Sequence, residues 1–158
     1  MKHAILLALL LACGTAQATE DALLKAVAFA LTADDATPVW ADNRANCVFR
    51  LENMGATRNG TYIYYLNNID PTRTAIAPYA TFHEGRAISE SLHVDLFGER
   101  TIREYRFPAF KIGEMAMHAS RGEETKVTLE LDTREHERVA RAWKYIYSHG
   151  CKGHKSSF

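Results

Sequence analysis

Lys126-Val127-Thr128-Leu129-Glu130-Leu131 alternates polar and aliphatic residues without a break, and the segment after it, Asp132 to Gly150, changes period. Alternation with period two is the mark of a strand with one buried and one wet face. In the second segment His136, Val139, Ala140, Trp143, Ile146 and Tyr147 fall on one helical stripe. Arg134, Glu137, Arg138, Arg141 and Lys144 take the other side, with Glu137 and Arg141 in the favourable i, i+4 order. Asp132 or Thr133 can cap the start, and Gly150 stands where a helix terminates. A half-wet strand followed by an amphipathic helix predicts a helix lying on one face of a sheet.

Working back along the chain, Cys47, Phe49 and Leu51 alternate with Val48, Arg50 and Glu52. Asn53 to Gly60 carries turn residues, and Thr61 to Leu66 is rich in β-formers. There Tyr62, Tyr64 and Leu66 share one face while Ile63 and Tyr65 share the other. Ala75 to Phe82, Ile88 to Phe97 and Thr101 to Phe107 are further strand candidates, and Arg121-Gly122-Glu123-Glu124 reads as a turn. Clean alternation favours antiparallel pairing. Near the front, Thr19 is a cap candidate with Glu20 and Asp21 beside it, and Leu23, Leu24, Val27 and Leu31 keep helical spacing. Ala26, Ala28, Phe29 and Ala30 make the other faces apolar too, which predicts a helix buried on several sides or one that docks onto a partner. The expected fold is α+β: an N-terminal helix, a five- or six-stranded, mainly antiparallel sheet, and a C-terminal amphipathic helix packed on it.

The first residues bound the setting. Met1-Lys2-His3, the apolar run Ala4 to Ala12 and the small-residue site Ala16-Gln17-Ala18 form the pattern of a secretory signal peptide over 1–18. Leu10-Leu11-Ala12-Cys13-Gly14 offers an alternative, a lipoprotein anchored through an acylated Cys13. Residues 19–158 then form a single domain in the periplasm or outside the cell, with no further apolar run long enough to span a membrane. Lys plus Arg and Asp plus Glu stand at 19 each, so no net field recruits nucleic acid or an anionic membrane. Processing removes Cys13 and leaves Cys47 and Cys151, an even pair that an oxidising compartment turns into a disulfide. Free or metal-ligating thiols are the alternative.

The stretches 42–49 (Asp42-Asn43-Arg44-Ala45-Asn46-Cys47-Val48-Phe49) and 142–151, which runs from Ala142-Trp143-Lys144-Tyr145 to His149-Gly150-Cys151, resemble parts of small exported bacterial proteins. The resemblance implies no activity, and so assigns no catalytic residue.

Chemistry is sparsely marked. His149 and His154 flank Cys151, but a disulfide would take away the best metal ligand, so neither a metal nor a cofactor is expected. His93 and Asp95 share a strand face and can orient a general base, yet no serine-nucleophile motif accompanies them. His83-Glu84-Gly85-Arg86 lacks the second histidine of a zinc helix and reads as a turn. The tyrosines Tyr62, Tyr64, Tyr65 and Tyr79, with Tyr105, offer apolar area with a polar tip. The favoured expectation is a non-catalytic exported protein that binds a protein, polysaccharide or small ligand through an aromatic sheet face. The alternative is a small envelope hydrolase using His93, Asp95 or His118.

Overall fold

An apolar first helix needs cover on all sides, and the strands supply it. The computed structural model describes residues 22–54, 59–84, 86–112 and 115–154; the signal peptide expected over 1–18, Cys13 and the cap expected at Thr19 lie outside the described residues. Helix α1 covers 22–32, followed by Ala33 in the left-handed region at φ 61°. The strands are β1 (Val39–Asn43), β2 (Val48–Met54), β3 (Asn59–Tyr65), β4 (Ala75–His83), β5 (Arg86–Phe97), β6 (Arg103–Phe107), β7 (Phe110–Ile112), β8 (Met115–Met117), β9 (Ser120–Glu124) and β10 (Lys126–Leu131). A short 3-10 turn, Leu66–Asn68, follows β3, and helix α2 (His136–Ser148) closes the chain. The fold is α+β, with α2 against the strands as expected.

The antiparallel strands divide between a five-stranded sheet, β1-β2-β3-β6-β9, and a three-stranded one, β10-β5-β4; β7 and β8 form a separate ribbon. The registers show how the two sheets join. Arg103 pairs with Glu124 and Lys126 with Phe97, so β9 runs on into β10 while its partner passes from β6 back to β5. Gly98 N–H donates to Thr125 O at 2.9 Å and Ile102 N–H to Glu124 O at 2.8 Å, carrying the ladder across the bend. The two sheets are therefore one bent surface sharing two kinked strand paths.

Alternation in Lys126–Leu131 turns Val127, Leu129 and Leu131 inward, where they meet Leu92, Val94 and Leu96 of β5. Val27, Ala30 and Leu31 of α1 join Val139, Trp143 and Ile146 of α2 in the same cluster, so α1 is a core helix. Each such aliphatic side chain contributes roughly 1.5–3 kcal/mol by leaving water. Cys47 and Cys151 are disulfide-bonded, with α-carbons 5.5 Å apart across 104 residues. The bond ties the turn before β2 to the chain leaving α2.

Three local expectations change. Arg121-Gly122-Glu123-Glu124 is not a turn but the body of β9, paired with β6 over its whole length. Strand β1, hidden because it is mostly exposed and so lacks alternation, pairs with β2 from Val39↔Leu51 onward. Helix α2 begins at His136 rather than near Asp132: Thr133 Oγ1 accepts from Glu135 N–H at 3.1 Å, closing a turn just ahead of the helix.

Candidate binding face

Along the inner face of the five-stranded sheet, among the described residues, the side chains pass from fully buried at one end to half-buried at the other. Cross-strand pairs Phe49↔Tyr64 and Leu51↔Tyr62 put these four side chains on one face, and β6 adds Arg103, Tyr105 and Phe107. Phe49, Leu51 and Tyr64 are buried in the core cluster that the helix residues share, whereas Tyr62, Tyr105 and Phe107 are only half-buried. Tyr62 meets Phe107 edge-on at 5.4 Å, and Tyr105 lies 5.9 Å from Phe107.

Two glycines let the rings lie down. A Cβ on Gly60 would sit 2.1 Å from the Phe107 ring, and one on Gly122 would sit 2.6 Å from the Tyr105 hydroxyl. Each ring thus covers a neighbouring strand's bare backbone, as aromatics do beside strand glycines.

Arg103 anchors this patch from below. Its guanidinium donates to Glu124 at 2.5 Å and lies 4.9 Å over the Tyr62 ring. Burial works against its charge, but the hydrogen bonds to Glu124 and Tyr64 outweigh that and hold its pKa raised. Burial pushes the Tyr64 hydroxyl up, opposed by the Arg103 charge. The pair is fixed in place and presents a polar seam beside apolar rings.

The opposite face of the same strands is polar. Tyr65 donates to Glu104 at 2.5 Å, and Arg106 donates to the other oxygen of Glu104 at 3.0 Å. The Tyr65 hydroxyl is pushed up to about 12, chiefly by that bond, and the same bond with the Arg106 charge pulls Glu104 down. Arg106 stands directly across from Arg121, and Glu104 across from Glu123.

The four tyrosines singled out from the sequence therefore part company. Tyr62 belongs to the half-open aromatic patch. Tyr64 is 3% exposed and packs in the core, so it offers no contact surface. Tyr65 points to the polar face. Tyr79 lies in the other sheet, 43% exposed, with its ring stacked on His93 at 4.0 Å. Tyr105 completes the patch together with Phe107; Gly60 and Gly122 opposite them are the sequence signal for these rings, although glycines in such surroundings carry the local signature of turns.

The hydrolase candidates are not assembled into a relay. His93 and Asp95 sit on the outer face, with Val94 and Leu96 inward, as alternation predicts. Ser91, two residues before His93 and so on the same face, was not singled out from sequence. Its hydroxyl is buried and makes no hydrogen bond, while Asp95 accepts from Thr128 at 2.5 Å and the His93 ring is engaged by Tyr79. His118 is exposed on the connection between β8 and β9. His149 stacks on Tyr145 at 3.8 Å, and Cys151 is taken by its disulfide; among the described residues, no group of three or more His, Cys, Asp or Glu is placed to hold a metal ion.

Among the described residues, no helix is long and apolar enough to cross a membrane. Compared with known proteins, the chain matches no family model, no curated protein and no solved structure.

Proposed function

We propose that this is an exported binding protein whose ligand lies on the aromatic end of the five-stranded sheet, over Tyr62, Tyr105 and Phe107. The observation that carries the reading is the pair of rings seated on Gly60 and Gly122. Phe49 and Tyr64 next to them are buried in the core cluster, whereas Tyr62, Tyr105 and Phe107 keep part of their surface accessible. Flat ring faces flanked by an anchored guanidinium and carboxylate suit a ligand with apolar faces and hydrogen-bonding edges, the chemistry of a saccharide chain or a peptide. The Cys47–Cys151 bond fits an oxidising compartment. With the signal-like leader, it supports a periplasmic or secreted protein, the lipid-anchored form through Cys13 being the variant of the same address.

Chemical-shift mapping of the isotope-labelled mature chain against soluble oligosaccharides and peptides tests the proposal. Perturbations should concentrate at 60–65, 103–107 and 120–124. Perturbations confined to Ser91, His93 and Asp95, with turnover of the added molecule, would favour the hydrolase instead.

A further inference from the structure

Strand β9 closes the five-stranded sheet, and among the described residues no strand pairs with its other edge. Glu124 C=O accepts from Ile102 N–H at 2.8 Å, so Glu124 turns its peptide groups toward the sheet. The β6–β9 ladder runs without a register break, and peptide groups alternate along a strand, so Gly122 and Ser120 turn the same way. Arg121 and Glu123 therefore present their N–H and C=O groups at the free edge, and both residues are exposed.

On the outer face these two residues meet like charges within the protomer. Arg121 stands across from Arg106 and Glu123 across from Glu104, an arrangement that weakens an antiparallel pair. Glu104 is met by Tyr65 and Arg106, and Glu123 accepts from Thr101 at 2.8 Å.

A short charged edge normally resists pairing with another sheet. Here the two signs stand two residues apart, and that spacing makes the edge complementary to itself. Consider two β9 edges paired antiparallel about a two-fold axis at Gly122. Arg121 of each copy then lies opposite Glu123 of the other, and the outward N–H and C=O groups of these residues bond to one another. Centring the axis on Arg121 would oppose two arginines, and centring it on Glu123 two glutamates. Of these three registers only the one at Gly122 pairs opposite charges. Across the four strands the outer-face order becomes Glu104, Glu123, Arg121, Arg106, so each like-charged pair faces the opposite pair of the other copy.

We infer that β9 is a self-association edge whose partner is a second copy of this chain, joined as an antiparallel, two-fold β9–β9 dimer. Such an interface is isologous, the same patch on both subunits. The Tyr105 ring lies over Gly122, so the two-fold axis sets the aromatic ends of the two inner faces side by side. The inference goes beyond the ligand reading and does not depend on it.

Sedimentation velocity of the purified chain from about 10 µM to about 1 mM tests it, since a five-residue edge is a short contact and makes a weak dimer. The dimer fraction should rise across that range, and hydrogen exchange at the Arg121 and Glu123 amides should slow with it. R121E sets Glu against Glu and E123R sets Arg against Arg, so each should raise the dimer dissociation constant by about tenfold or more. An equimolar mixture of the two variants should dimerise again, because each supplies the charges that the other lacks. R121E/E123R in one chain should do so too. Each reversal also replaces a like-charged pair within the protomer by an opposite one, so neither should lower the urea midpoint of the dilute protein. A chain that stays monomeric to the top of the range would overturn the inference. So would a dimer indifferent to both reversals, or a mixture of the two folded variants that stays monomeric.

Discussion

The ring of Phe107 lies against the backbone of Gly60, so close that a single methyl there would sit 2.1 Å from it. The contact crosses from β6 to β3 and explains both residues at once: glycine because the ring needs the space, and phenylalanine because the bare backbone needs cover. Tyr105 and Gly122 repeat the arrangement between β6 and β9.

Gly60→Ala should therefore destabilise by about 1–3 kcal/mol, the range for forcing extra volume into a packed site. Gly122→Ala should cost less, because its nearest neighbour is the outer end of the Tyr105 ring. Urea denaturation checks both. A Gly60→Ala midpoint equal to wild type would mean that the ring is not seated as described.

Reducing the Cys47–Cys151 bond, or replacing both cysteines by alanine, should lower stability by roughly 2–5 kcal/mol. The long loop it closes, 104 residues, places it toward the upper end in the chain-entropy account. Denaturation with and without reductant measures it, and coincident curves would contradict it.

Trp143 is 3% exposed and stacks on Tyr147 at 5.8 Å, whereas Arg141 points outward with only a 3.5 Å pairing to Glu137. Trp143→Ala should cost about 3–5 kcal/mol. Arg141→Ala should cost well under about 1 kcal/mol. Equal midpoints would show the α2 faces reversed.

Tyr147 gives a pH prediction. Burial pushes its hydroxyl up to about 12, with the Asp70 charge adding to this and Thr74 opposing it. The unfolded chain releases that proton near pH 10, its ordinary value. The folded-state pKa is the higher one, so the stabilisation is complete below pH 10 and is lost as pH rises toward 12. The loss is about 1.4 kcal/mol per pH unit in that window. Tyr147→Phe should flatten this part of the alkaline limb, as seen in urea midpoints measured across it. An unchanged slope would contradict the assignment.

The parts of the fold legible in the sequence were those where burial and periodicity coincide. Val127, Leu129 and Leu131 face inward as their alternation required, and Trp143 and Ile146 do so from the helix stripe. The cysteine pair was legible from parity and the signal-like opening of the sequence. What escaped was set by tertiary neighbours. Gly122 carries the local signature of a turn, and only the Tyr105 ring lying over it from the next strand explains a glycine inside β9. β1 escaped because its face is wet and its alternation weak. The proposed binding face was half legible: tyrosine-rich strands pointed to it, but strand parity could not say that Tyr64 lies in the core while Tyr62, on the same face, is only half-buried.

The most direct measurement compares two variants against whichever saccharide or peptide gives the largest shifts with the wild type. One is Y62S/Y105S, which strips the open aromatic end; the other is H93A/D95A/H118A, which removes the hydrolase candidates. The account predicts that the first loses at least about tenfold in affinity while keeping a cooperative unfolding transition, since exposed aromatics often dominate binding energy. It predicts that the second binds as wild type. Retained binding by Y62S/Y105S, with loss in the histidine and aspartate variant, would contradict it.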